Sequence, residues 1–188
     1  LADAAAQRFR RFGLRHTSVE SITAAAGTGK GSLYLHYSSK EALYLEVIRR
    51  VVEEFVAAAR VAMAEANGAP SRLRALVEVA IVHYERDDLM AAPLRDDRDL
   101  LGPEVAGLAR QLQREQVIGL IEATLIQGQQ EGTIRSELVP APAAAVLFEI
   151  GWAVVRSHLS GELSLPLADA LQTLNDIVGN GTIERSRT

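Results

Sequence analysis

Residues 26–43 read AGTGKGSLYLHYSSKEAL, with three glycines and a lysine just ahead of Ser32. Such a run has two readings with opposite consequences: a loop that wraps phosphates in a nucleotide-binding enzyme, or the turn between two helices that read DNA. A phosphate-binding loop needs glycine, four residues, Gly-Lys and then serine or threonine, because its backbone N–H groups cradle the phosphates and its hydroxyl holds magnesium. With Gly29-Lys30 in that register, the opening glycine falls on Ala24 and the hydroxyl on Gly31. The dinucleotide-binding fingerprint fails too: Gly27-x-Gly29 is followed by Ser32 where its third glycine belongs, and no buried strand precedes the turn.

As a helix pair the same residues all find a place. Thr17-Ser18-Val19-Glu20 reads as a capping box that opens a helix at Thr17 or Ser18, its hydroxyl and carboxylate satisfying orphan N–H groups reciprocally. Val19, Ile22 and Ala26 share one face of that helix, and Gly27 is placed to break it with a positive φ. The next helix, over about 30–35, must bury Leu33 against its partner. Its other side then offers Lys30, Gly31, Ser32, Tyr34, Leu35 and His36. Small residues let the backbone approach a groove, Lys30 can donate to guanine O6 or N7, and Tyr34, His36 and Lys40 suit phosphate oxygens. Each residue alone fits an ordinary surface or core position; the combination is specific.

Outward from this pair, proline and glycine punctuate long Ala-, Leu-, Glu- and Arg-rich stretches with no alternating β-branched run, so the chain reads as all-α, with about nine helices. A first helix over about 2–12 places Ala5, Phe9 and Phe12 on one buried stripe. Beyond the pair, helices are expected over about 40–66, 71–87, 88–97, 103–131, 141–160 and 166–178, with a frayed tail after Gly179. Pro103 and Gly132 sit at a helix start and just past a helix end, where each is favoured.

Composition narrows the classes further. The chain has 188 residues, 48% hydrophobic and 23% charged, which is the make-up of a folded globular protein. It has no cysteine, which removes disulfides, thiolate nucleophiles and Cys-based metal sites and leaves the cytosol as the default compartment. The longest stretch without a charged residue, 138–148, is far short of a membrane span, so no membrane partner is expected. Leu1 is not an initiator methionine, and a short arm ahead of it is expected. The net charge of −4 hides an asymmetry: residues 1–40 carry +4, which leaves −8 for the rest. A basic headpiece on an acidic body suits a chain whose one end meets polyanions.

Ala5-x-x-x-Phe9-x-x-x-Gly13, Thr17-Ser18-Val19 with Ile22, Ala26-Gly27, and Lys30-Gly31-Ser32-Leu33-Tyr34-x-His36-Tyr37-x-Ser39-Lys40-Glu41-x-Leu43 together resemble the DNA-binding headpiece of the TetR family of transcriptional regulators. The resemblance covers residues 2 to about 46 without gaps; beyond them only the architecture of long helices matches. It implies a helix-turn-helix domain over 1–46 and a ligand-binding and dimerisation domain over 47–188. It also implies a homodimer on a palindromic double-stranded DNA operator, usually a repressor, released by a small-molecule effector, and not an enzyme. Carried onto this sequence, the DNA-binding positions are Thr17, Ser18, Thr28, Lys30, Gly31, Ser32, Tyr34, Leu35, His36, Tyr37 and Lys40. One departure is Gly29, where the family often has serine or another polar residue, which puts one contact at the start of the reading helix in doubt.

In the body, the four histidines are scattered, with no His-x-x-x-His pair, so neither a metal nor a cofactor is expected. Arg95-Asp96-Asp97-Arg98-Asp99 reads as a solvated loop. Polar groups embedded in apolar helices orient a ligand in a greasy cavity, and the candidates are His83, Tyr84, Gln116, Glu149, Trp152 and Arg156; Glu149 and Arg156 equally suit an ion pair at a dimer interface. Helices eight and nine are the dimer candidates, through Ala143, Leu147, Ile150, Gly151 and Val154 on one and Leu167, Leu171, Leu174 and Val178 on the other. The competing readings are a P-loop-like nucleotide-binding enzyme, which the broken motif disfavours, and a helical interaction module that never touches DNA.

Overall fold

The computed structural model describes residues 1–94, 101 and 103–182, with side chains up to residue 177. Among these the protein is all-α, in nine helices: α1 (Ala2–Phe12), α2 (Val19–Ala25), α3 (Lys30–His36), α4 (Lys40–Ala64), α5 (Ala69–Arg86), α6 (Asp88–Ala91), α7 (Pro103–Gln130), α8 (Pro140–Leu159) and α9 (Leu167–Thr182). The loop expected at residues 95–99 and the side chain of Val178 lie outside the described residues. The helix α9 continues through 179–182, where fraying was expected, and 183–188 are not described.

Local chemistry sets most of these bounds. Asp3 in the first turn of α1 and Arg10 and Arg11 in its last complement the helix dipole. Pro140 opens α8 at a position whose N–H has no partner within the helix. Gly27 takes φ 65° between α2 and α3, a left-handed turn that a side chain would strain.

Packing groups the helices into two compact units, Leu1–Glu53 with Arg86–Gln113, and Glu54–Glu85 with the chain from Arg114 onward. In the first, α1 packs on α2, α2 on α3, and α1 on α6. Ala5, Phe9, Ile22, Leu33, Leu43 and Ile48 are buried there, and Phe9 meets the Tyr44 ring edge-on at 5.1 Å. Phe12, expected on the buried stripe of α1, is exposed instead. Its ring lies beneath the Arg8 and Arg11 guanidinium groups, 5.8 and 5.1 Å from its centroid, a cation–π arrangement that accommodates an aromatic ring in water.

Tyr44 is buried, and its hydroxyl has no hydrogen-bond partner among the described residues. Burial, reinforced by the charge of Asp87, pushes its ionisation well above the ordinary phenol range. An unpaired buried hydroxyl costs its desolvation penalty without return, so Tyr44→Phe is expected to stabilise the protein by about 1 kcal/mol. In thermal unfolding that is a rise of about 2–4 °C; a fall would mean that the hydroxyl makes a bond.

In the second unit, Phe55, Ala59, Met63, Leu73, Leu76, Leu125, Ile134, Phe148 and Leu167 form the core, and α8 packs on α9. Thr133, in the turn after α7, accepts from Ala69 N at 3.3 Å and donates to Gly128 O at 3.2 Å. Gln129 Nε2 donates to the carbonyls of Arg135, Ser136 and Leu138, which fixes the connection to α8. A Cβ on Gly128 would lie 2.5 Å from Ala69 Cβ and 2.6 Å from Ile134 Cγ1. We expect Gly128→Ala to cost about 1–3 kcal/mol through overpacking. Gly119→Ala, on the same helix with nothing within 4 Å of its Cβ, should gain up to about 1 kcal/mol. Equal effects at the two sites in chemical denaturation would refute the close approach.

Candidate functional site

The candidate reading surface is built on α2 and α3. Ser18, not Thr17, caps α2: its Oγ accepts from Ser21 N at 3.1 Å. Of the two starts the sequence allows, Thr17 and Ser18, the helix takes Ser18, and no reciprocal box forms there: the Ser21 hydroxyl donates to Ser18 O at 2.8 Å. Thr17 is buried, its hydroxyl donating to Gly13 O at 2.6 Å and lying 3.3 Å from Arg8 O, so its side chain fastens the α1–α2 corner and is withdrawn from the surface where a DNA contact was expected. Its carbonyl accepts from Lys40 Nζ at 2.9 Å, which ties the start of α4 to the start of α2.

Leu33 anchors α3 by complete burial, and the rest of this short helix faces outward. Lys30, Gly31, Tyr34, Leu35 and His36 are exposed, Thr28 is exposed in the turn ahead of them, and Ser32, Tyr37 and Lys40 are half-buried. A Cβ on Gly29 or Gly31 would meet nothing within 4 Å, so the front of α3 is open. Lys30 pairs with Glu20, and the hydrogen bond from Lys30 is the largest of the influences that hold the Glu20 carboxyl below its ordinary range. Both side chains are more than half exposed, and an ion pair of that kind is weak enough for a competing acceptor to displace.

The six candidate effector contacts divide. His83 is half-buried and edge-on to Phe55 at 5.3 Å. Its Nδ1 donates to Val79 O at 2.8 Å, since a carbonyl can only accept, and Nε2 is then the acceptor of the neutral ring. Tyr84 is buried, which pushes its phenol ionisation well up. Trp152 is half-buried and tilted against Phe148 at 5.1 Å. Gln116, Glu149 and Arg156 instead point to solvent, and Glu149 accepts from Arg114 Nε at 3.0 Å. Their helices turn these three positions outward within this chain.

The polar residue inside α7 is Gln113, one turn before Gln116. It is fully buried, its Nε2 donating to Met90 O at 2.9 Å and lying 3.4 Å from Met90 Sδ, while Oε1 meets no donor among the described residues. A signal for it was present: Val105, Ala109, Gln113 and Leu120 lie on one stripe at spacings of four and seven, and all are buried. Met90 belongs to α6, whose first turn is capped by Asp87 Oδ1 accepting from Leu89 N at 2.9 Å. The same carboxylate accepts from Arg10 of α1 at two points, Nε at 3.1 Å and Nη2 at 2.8 Å. The short helix is thus held by Gln113 on one side and by α1 on the other.

Among the described residues no three His, Asp or Glu side chains gather as metal ligands do, and no helix is long and apolar enough to cross a membrane. The family model for bacterial regulatory proteins of the tetR family matches residues 1–47. The HTH-type transcriptional repressor KstR2 of Rhodococcus jostii is 30% identical over 165 residues, spanning 86% of this chain and 79% of that protein. The transcriptional regulator FadR of Bacillus subtilis, solved in complex with stearoyl-CoA, superposes with a TM-score of 0.75 over 96% of each chain at 18% identity. The ketosteroid transcriptional regulator KstR2 of Mycobacterium tuberculosis superposes with a TM-score of 0.62 over 98% of this chain and 93% of its own, at 25% identity.

Proposed function

The chain belongs to the TetR family of bacterial regulatory proteins, ligand-responsive transcriptional regulators that bind DNA, and we propose that it is a cytoplasmic repressor whose homodimer leaves a palindromic operator when a small molecule binds. In this reading residues 1–46 bind DNA and 47–188 bind the effector and form the dimer through α8 and α9. The observation that carries it is α3: a seven-residue helix pinned by Leu33, open at Gly31, and presenting Lys30, Tyr34, Leu35 and His36 outward. Lys30 reads a base edge, and Ser18, Tyr34 and Lys40 serve the sugar-phosphate backbone.

The proposed effector is an apolar molecule with a polar group, in keeping with the ketosteroid and stearoyl-CoA of the named relatives' descriptions. Within this chain, His83, Tyr84 and Trp152 of the second unit are the supporting residues. The hydrogen bonds from Gln113 Nε2 to Met90 O, and from the Arg10 guanidinium to the Asp87 carboxylate, support a part for α6 in passing effector state to α1. An effector shifts DNA affinity only by its differential affinity for two states. Asp87→Asn should therefore narrow the ratio of operator affinities without and with effector, a coupling typically of about 1–3 kcal/mol, without abolishing binding of either. An unchanged ratio would remove α6 from the path.

The test of the whole reading is selection of bound sequences from a random DNA pool, repeated in stearoyl-CoA and in a ketosteroid and at rising salt. Enrichment of an inverted repeat whose affinity falls with salt supports it. No enriched sequence, or retardation independent of salt, would overturn it in favour of a helical module that does not bind DNA.

A further inference from the structure

On the outward face of α3, Leu35 is 83% exposed, far more than any other large apolar side chain among the described residues of the first unit. Tyr34 and Phe12 are exposed as well, yet Tyr34 carries a hydroxyl and Phe12 lies under two guanidinium groups. Leu35 has neither. Successive helical residues are rotated by about 100°, so Leu35 lies about 160° around the axis from the fully buried Leu33. The residue that anchors the helix and the residue that projects from it are almost diametrically opposed. Gly31, one turn earlier on the same row, has nothing within 4 Å of where its Cβ would be, so the surface beside Leu35 is clear for another molecule to approach closely.

A single leucine among Lys30, Ser32, Tyr34 and His36 is too small a patch for a protein interface, which buries about 800 Å² on each partner. On the floor of a major groove, however, an apolar side chain has one matching group, the C5-methyl of thymine; the other base-edge groups there are hydrogen-bond donors or acceptors. We infer that Leu35 reads a thymine in each half-site of the operator by packing its isobutyl group on that methyl, alongside the polar contact of Lys30. The inference rests on the DNA-binding reading above and adds to it a base and a mode of recognition.

The experiment uses the full chain and the DNA sequence enriched from the random pool. Each thymine is replaced in turn by deoxyuridine, which removes the methyl and leaves base pairing and every groove donor and acceptor in place. One thymine per half-site is expected to show a loss of roughly fourfold in affinity, the worth of one methyl group withdrawn from water. In Leu35→Ala, whose folding is checked by its helix content and unfolding temperature, that thymine should bind equally well with and without its methyl. Insensitivity of the original protein to uracil at every thymine would overturn the inference. So would an unchanged penalty at the same position in Leu35→Ala. Either result leaves DNA binding standing, whereas failure to enrich any sequence removes the DNA-binding reading together with this one.

Discussion

The double variant Ile150→Glu, Ile177→Glu is expected to be a folded monomer that no longer retards operator DNA at concentrations where the original protein binds fully. Helices α8 and α9 pack on each other, and together they leave Val146, Ile150 and Ile177 exposed at 56%, 41% and 66%. On the surface of a monomer a glutamate at Ile150 or Ile177 costs little, within about 0.5 kcal/mol. Buried against a second copy, two unpaired carboxylates per subunit cost several kcal/mol, enough to separate a dimer at micromolar concentration. Loss of the dimer severs the two half-site contacts, and linked binding exceeds single-site binding by about 10²–10⁴-fold. Leu171 is unsuitable for this test, although its spacing suggests the interface: it is 3% exposed within its own chain, so a charge there would unfold the protein. Sedimentation equilibrium with circular dichroism decides the matter. A dimer of unaltered mass would place the interface elsewhere.

The contrast between Leu171 and Ile177 locates the limit of the sequence. Leu171 lies on the stripe of Leu167, Leu171 and Leu174 that spacing marks for the interface, while Ile177, six residues on and about 120° around the axis, lies off it; which of them meets its own chain is decided by how α9 is rotated against its neighbours. The same holds for Gln113 and Gln116, one turn apart on α7, of which only Gln113 faces inward. Helix ends were more legible because their causes are local. Gly27 and Gly132 take the positive φ their positions demand, and Pro103 and Pro140 open their helices. Where two local solutions compete, as for Thr17 and Ser18 at the start of α2, the tertiary contact decides: the Thr17 hydroxyl is taken by the carbonyls of α1 and the corner after it, and Ser18 caps. The tie between Arg10 and Asp87 had no sequence signal at all. Seventy-seven residues separate its partners, and neither lies in a motif that names the other.

Substitution at Lys30 and at Lys40 should have different consequences, because in the proposed reading one lysine meets base edges and the other the sugar-phosphate backbone. Lys30 extends from the exposed first turn of α3, and its bond to Glu20 is an exposed pair that a guanine O6 or N7 can replace. Lys30→Ala is expected to cost about 1–3 kcal/mol on the selected operator and to relax the preference at one base pair per half-site. Lys40 is half-buried at the start of α4, and one of its three N–H groups already donates to Thr17 O. That bond points the ammonium along the α2 start, where Ser18 is exposed, and leaves two donors for a phosphate oxygen. Lys40→Ala should weaken binding about equally on every sequence and flatten the logarithmic salt slope by about 0.9 per half-site, the share of one phosphate contact. Tyr34→Phe removes a hydroxyl and no charge, so it should weaken binding and leave that slope unchanged. Retardation across a salt series, on the operator and on single-base variants of it, separates the three. If Lys30→Ala retains full sequence preference while Lys40→Ala alters it, the two lysines have exchanged roles, and α4 rather than α3 lies against the base edges.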